Sequence, residues 1–289
     1  MTWAVADRAW SCWGQFGALC GKGGCVVEFH DVLVTKHQRI GRIILNRPQV
    51  MNAVRPQSMH EILLAVTQME EDPEVAVILI SGSGQAFSVG AEFAFLDELK
   101  GKSPLEIKDT IYRFFQGAVK KVALCPKPTV AAVKGFAITV GCELALACDF
   151  RVAGESADFR ESWIKLGLIP PLGGMFLLPR LIGLARARSM ILTGRPVLAT
   201  EAEQIGLVDQ VVPDDDLEQE VLAFARMLAQ LPPLGYATAK EGIRRGLEST
   251  MDREWAANVL AQGVLLNSSD FQEGLAAVKE KRKPVFQGM

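Results

Sequence analysis

The stretch Lys127–Gly174 reads KPTVAAVKGFAITVGCELALACDFRVAGESADFRESWIKLGLIPPLGG, and the rest of the chain is best understood outward from it. Thr129 to Val133 is a β-branched apolar run bounded by Pro128 and Gly135, the pattern of a buried strand. After a turn, Gly141 to Cys148 forms a short apolar helix with a single carboxylate, Glu143, inside it. A second strand is predicted from Asp149 to Ala153, followed by a loop rich in turn residues. Burying a carboxylate in an apolar helix is costly unless the group is paired or used. The functional question therefore starts at Glu143.

Around this stretch, strand and helix signals alternate. Asp31–Lys36 and Ile40–Asn46 read as a hairpin turning near Gln38, and Arg47-Pro48 stops its second strand. Met59, Ile62, Leu63, Val66 and Met69 share one helical face between Gln57 and Glu70. Ala76–Ile80 is a short, wholly apolar strand. A strand of that kind after a helix suggests a crossover and a sheet covered on both faces. Ser103-Pro104-x-Glu106 is a helix-start signature, and Thr200-x-x-Glu203 has the same form. The link from Glu92 to Pro104 reads as a lid between two helices. From Asp214 onward the pattern is helical: Leu217–Leu231, Pro233–Leu247, Met251–Leu266 and Ser269–Lys281.

Composition narrows the function classes. The 289 residues are 49% hydrophobic with a formal net charge of −2, enough for a large core and without the basic footprint of a nucleic-acid binder. No apolar run has the roughly 20 residues needed to span a bilayer. Six cysteines are spread along the chain. Cys125, Cys142 and Cys148 sit in apolar surroundings, and Cys12, Cys20 and Cys25 lack the close spacing of a zinc site. Reduced thiols and a cytoplasmic location are expected, with no metal and no membrane partner. Residues 1–28, which include Trp3, Trp10 and Trp13, read as an N-terminal extension without an assignable role and without the pattern of a signal peptide.

An ordered set of motifs then carries a resemblance. They are Asn46-Arg47-Pro48 with Asn52-Ala53, Gly82-x-Gly84-x-Ala86-Phe87-x-x-Gly90-Ala91, Ala131-Ala132-Val133-x-Gly135 and Cys142-Glu143-Leu144-Ala145-x-x-Cys148-Asp149. Gly167-Leu168-Ile169-Pro170, Gly173-Gly174, Leu192-Thr193-Gly194 and Ala202-x-x-x-Gly206-Leu207-Val208 continue the set. The chain resembles the crotonase superfamily, the enoyl-CoA hydratases and isomerases, from about Leu33 to Phe286. The resemblance implies an α/β fold, a crotonase-like spiral of β-β-α units with a C-terminal helical subdomain. The corresponding division is an extension over 1–28, a core with the acyl-CoA site over 29–200, and a helical oligomerisation region over 201–289.

For chemistry, the resemblance implies an acyl-CoA thioester substrate, no cofactor beyond the coenzyme A of the substrate, and a homotrimer or a hexamer built as a dimer of trimers. Coenzyme A would lie along Gln49, Val50 and Met51 and along Ala91, Glu92, Phe93 and Ala94. The backbone N–H groups of Ala91 and Val140 would form an oxyanion hole, both placed at helix starts. Donors of this kind are worth about 3–4 kcal/mol each in a transition state. Val140 stands where most relatives have glycine, and a β-branched residue resists positive φ. Glu143 matches the first catalytic carboxylate, a general base; the plainer alternative is a first-turn Glu stabilised by the helix dipole.

The second carboxylate of the family is missing. Trp163 holds its position, and Pro171 holds the position used for an acid in one branch of isomerases. Glu161 is a substitute acid if its side chain turns inward, although a solvated loop residue is the simpler expectation. Arg160, in place of a glycine, is read as an ordinary surface arginine, with contact to an anionic acyl group as the alternative. The resulting expectation is an enzyme doing isomerase-like or specialised hydratase or lyase chemistry with one base. A non-catalytic acyl-CoA-binding protein is the competing class.

Overall fold

The structure is a computed structural model describing residues 18–21 and 24–288, with side chains from residue 28 onward. The readings placed on residues 1–17 and on the side chains of Cys12, Cys20 and Cys25 lie outside the described part. A small antiparallel ladder pairs β1 (Ala18–Gly21) with β2 (Gly24–Val27). The main sheet has six strands: β3 (Val32–His37), β4 (Ile40–Leu45), β5 (Val77–Gly82), β6 (Thr129–Val133), β8 (Phe150–Gly154) and β11 (Gln210–Val212). Their order is β11-β8-β6-β5-β4-β3, parallel throughout except for the β3–β4 hairpin. Gln38 and Arg39 close that hairpin with φ of 49° and 65°, the twist-matched geometry of a two-residue turn.

Alternation along the strands sorts the core into two layers. Ile78 and Ile80 of β5, with Ala131 and Val133 of β6, face the larger apolar cluster. There they meet α1 (Pro56–Glu71), α4 (Gly117–Leu124) and α5 (Val140–Ala147). Val77, Leu79 and Val130 face the other way and are covered by Leu217, Val221, Ala225 and Leu228 of α9 (Leu217–Leu228). The double cover is what a parallel sheet requires. It also means that β11 and α9, both beyond residue 200, belong to the packed core.

A second, three-stranded sheet carries the site. Its order is β10-β9-β7, from β7 (Phe136–Ile138), β9 (Asp158–Arg160) and β10 (Val197–Leu198). β7 leads directly into α5, and β9 leads into a 3₁₀ turn over Ser162–Leu166. Beyond it lie α6 (Gly174–Ile182), α7 (Leu184–Thr193) and α8 (Ala199–Gln204). The helix start expected at Thr200 is displaced. α8 begins at Ala199, and Glu203 Oε1 accepts from Val211 N–H at 2.9 Å instead of closing a capping box.

Two helices roof the site region. α2 (Phe93–Glu98) is short; α3 (Pro104–Thr110) starts with the expected box, in which Ser103 and Glu106 cap each other. α3 runs on through a π-helical stretch, Ile111–Gln116, into α4. Such wide turns inside helices often occur at functional sites. At the far end, α10 (Pro233–Gly246) is fixed to the sheet by Tyr236 Oη and Lys240 Nζ, which donate to Asp149 at 3.0 and 2.8 Å. α11 (Met251–Leu266) and α12 (Ser269–Glu280) follow with no buried residue in α11. Among the described residues, no helix is long and apolar enough to cross a membrane.

Candidate active site

A cavity of about 240 Å³ opens between the roof helices, the start of α5 and the segment from Trp163 to Pro171. Ala91, Val140, Trp163 and Pro171 line it, so one space gathers four positions singled out in the sequence. The rest of its wall is apolar, including Phe95, Leu99, Ile111 and Phe115.

The two backbone donors are presented by strained turns. Gly90 has φ of 95°, and a Cβ there would lie 1.9 Å from Thr139 Oγ1 and 2.7 Å from the Ile138 carbonyl oxygen. Thr139 in turn has φ of 49° and ψ of −110°, a costly backbone for a β-branched residue. Two residues with positive φ thus meet, and each immediately precedes a donor. The strain expected of Val140 falls instead on Thr139, because Val140 is the first residue of α5 and is helical. Thr139 is a site-forming residue that motif matching did not single out; the departure from glycine at the adjacent Val140 was the available signal.

Ala91 corrects a second expectation. Its N–H is not presented by a helix start. It lies two residues ahead of α2, in a segment aligned by Val54 N–H donating to Gly90 O and Glu92 N–H donating to Val54 O, both at 2.8 Å. The same ladder brings Met51 and Val50 beside the Ala91–Ala94 segment, so both stretches assigned to coenzyme A adjoin. Val89 N–H donates to Met51 O at 3.2 Å. Gln49 and Val50 lie in a 3₁₀ turn, Phe93 and Ala94 face outward, and Glu92 pairs with Arg47 at 2.9 Å. Asn52, at φ of 54°, explains its motif: its side chain accepts from Arg47 N–H and donates to the carbonyls of Ser83 and Ala86, clamping its own loop to the one after β5.

Glu143 sits one turn into α5 and is 1% exposed. Its Oε1 accepts from Leu172 N–H at 2.7 Å and from Gly174 N–H at 2.9 Å, the latter an unpaired donor at the start of α6. Its Oε2 accepts a longer bond, 3.3 Å, from Trp163 Nε1. Burial raises its pKa from the ordinary value to about 7, against the opposing pull of these donors. Glu143 is thus a first-turn carboxylate of α5, but a buried one whose donors come from outside the helix.

Trp163 does more than occupy the second acid's place. It is buried, its indole lines the cavity, and its N–H orients Glu143. Pro171 also lines the cavity, with its carbonyl accepting from Gln116 Nε2 at 2.8 Å. Glu161 overturns the solvated-loop expectation: it is 0% exposed, and neither carboxyl oxygen has a partner among the described residues. Turning it inward is a consequence of β9, where Asp158 and Arg160 pair with each other and Arg160 lies over the Phe136 ring, 5.6 Å from its centre. Arg160 is so engaged and is not among the cavity's lining residues.

Comparison with known proteins agrees with this geometry. A family model described as enoyl-CoA hydratase/isomerase matches residues 35–289. The probable enoyl-CoA hydratase echA8 of Mycobacterium tuberculosis is 40% identical over 264 residues, spanning 90% of this chain and 99% of that protein. The crotonyl-CoA hydratase of Syntrophomonas wolfei is 34% identical over 261 residues, with 90% and 99% covered. Among solved structures, an enoyl-CoA hydratase from Bacillus anthracis superposes with a TM-score of 0.84 at 34% identity, covering 90% of this chain and all of that one. The fold is the crotonase fold, and the chain belongs to the enoyl-CoA hydratase/isomerase family of acyl-CoA enzymes.

Proposed function

We propose that this protein moves a proton on the acyl group of a coenzyme A thioester, with Glu143 as the base. The observation that carries the reading is the Glu143 carboxyl: buried, fixed at Oε1 by two backbone donors, and weakly engaged at Oε2. A base whose pKa lies near neutrality combines availability with driving force. The thioester oxygen would rest between Ala91 N–H and Val140 N–H. Glu143 Oε2 takes the α-proton, the C–H bond breaks, and its electron pair moves onto the thioester oxygen as an enolate. The proton then returns to the same carbon, or to the γ-carbon of an allylic system.

The apolar wall favours an uncharged hydrocarbon acyl group. Simple hydration is disfavoured, because Trp163 stands beside Glu143 where a second acid would handle water, and an indole cannot deliver a proton at neutral pH. A 3-enoyl-CoA should therefore be isomerised faster than crotonyl-CoA is hydrated. Crotonyl-CoA hydration at an ordinary enzyme turnover, of order 10²–10³ s⁻¹, would reverse this preference. The assembly reading stands beside it: exposed apolar faces on α11 and α12 support packing against further copies in a trimer or a dimer of trimers.

A further inference from the structure

We propose that Glu161 is the proton-holding member of a carboxylic-acid pair with Glu143, a positioning residue that stays neutral so that Glu143 alone carries the site's charge. The proposal rests on the reading of Glu143 as the base. Three observations lead to it. Glu161 is wholly buried, and both of its oxygens lack hydrogen-bonding partners among the described residues. An ionised carboxylate in that condition is far costlier than a neutral one. Its neighbour is a second carboxyl: a Cβ built on Gly174 would lie 3.1 Å from Glu161 Oε1 and 3.2 Å from Glu143 Oε1, so both groups converge on one glycine of α6.

The two carboxyls are treated unequally by their surroundings. Glu143 has three donors, which favour its charged form. For Glu161 only the Cys142 thiol favours the charged form, and burial followed by the charge of Glu143 outweighs it and raises its pKa well above the ordinary range. The groups that face Glu161 from α5 are Glu143 and the Cys142 thiol. From α6 comes only the Gly174 backbone. Arg151 of β8, a cation that acts on the neighbouring Cys142 thiol, is directed at the carbonyls of Leu207 and Cys148 and toward Asp209. Among the described residues, no cation acts on Glu161. Two nearby carboxyls whose environments push their proton affinities apart divide the work of one acid–base site.

For the reaction, a neutral Glu161 keeps a second negative charge away from the developing enolate. Raising pH until it ionises should raise the barrier, so the profile for α-proton exchange should fall on the alkaline side as well as on the acid side.

The test is an infrared difference titration of the full-length protein, wild type, Glu161→Gln and Glu143→Gln. At a pH well above 7, where Glu143 is ionised, the wild type should show a buried, protonated carboxyl C=O stretch. The band should disappear in Glu161→Gln and persist in Glu143→Gln, where it should ionise at lower pH because the neighbouring charge is gone. In exchange assays, Glu161→Gln should keep the acid limb and lose the alkaline one; a merely structural role would lower the rate without moving either limb. At that pH, a band that survives Glu161→Gln, or a wild type with no protonated carboxyl, overturns the proposal. Should Glu161→Gln fail to fold, the band and its shift in Glu143→Gln still decide. A wild type without exchange activity would defeat the proposed function, and the infrared band would still decide the proton's location.

Discussion

Thr139 shows at the scale of one residue how the site is held in shape. Its φ of 49° is a strained setting for a β-branched side chain, and it turns the chain into α5 at Val140, a residue that lines the cavity. Strain of this kind costs about 1–3 kcal/mol. Thr139→Gly should therefore raise stability by a similar amount in urea unfolding; an unchanged or lower stability would show that the threonine's own contacts compensate. Glu143 sets the pH response. The base works when deprotonated, so activity should rise with pH through about 7. The stability sign is opposite: the folded-state pKa lies above the ordinary value of 4.5, so its contribution is full below that value and is lost as pH rises through about 7. Trp163→Phe removes a donor to the charged form, and the acid limb of the rate profile should move to higher pH. No movement would show that the 3.3 Å contact contributes nothing.

Among the elements, those with a strong period were legible in the sequence. The apolar strands, the face of α1 and the Ser103–Glu106 box all form where expected, because local chemistry and tertiary packing agree there. Glu161 and the Thr200 box were misjudged for the same reason: each depends on what packs against it. β9 turns Glu161 inward against α5, while Val211 of the neighbouring strand takes Glu203. Gly174, the first residue of α6, is the joint on which the two carboxyls meet, since a Cβ there would lie 3.1 and 3.2 Å from them. Gly174→Ala should cut exchange by 10²-fold or more, on the order of removing a general base, with acyl-CoA binding retained; unaltered exchange would remove the convergence of the two carboxyls. In the roof, Phe95 stacks on Phe115 at 5.1 Å, and both line the cavity. Phe115→Ala should cost about 3–5 kcal/mol and shift preference toward bulkier acyl groups, read by competition between acyl-CoAs.

Over the whole molecule, the surface left apolar is at the C-terminal end. Trp255, Val259, Leu260 and Val264 of α11 are each 63–75% exposed, and Val278 of α12 is 77% exposed. Light scattering at micromolar concentration should give the mass of a trimer or a hexamer, and Leu260→Asp should reduce it; a monomeric wild type would contradict that expectation. Family motifs made the spiral core legible because the turns they encode, at Gly90 and Asn52, are backbone requirements written in single residues. The acid–base pairing was less legible, since it arises from burial and from the placement of α6 against α5.

The central claim is that Glu143 forms an enolate on an acyl-CoA thioester. The most direct measurement is proton exchange in deuterium oxide at the α-carbon of a saturated acyl-CoA, followed by NMR with wild type and Glu143→Gln. The account predicts deuterium incorporation by the wild type and a loss of about 10²–10⁴-fold in Glu143→Gln, with acyl-CoA still bound by both. Acyl-CoA binding without exchange in the wild type would contradict it and would make the protein a binding member of its family.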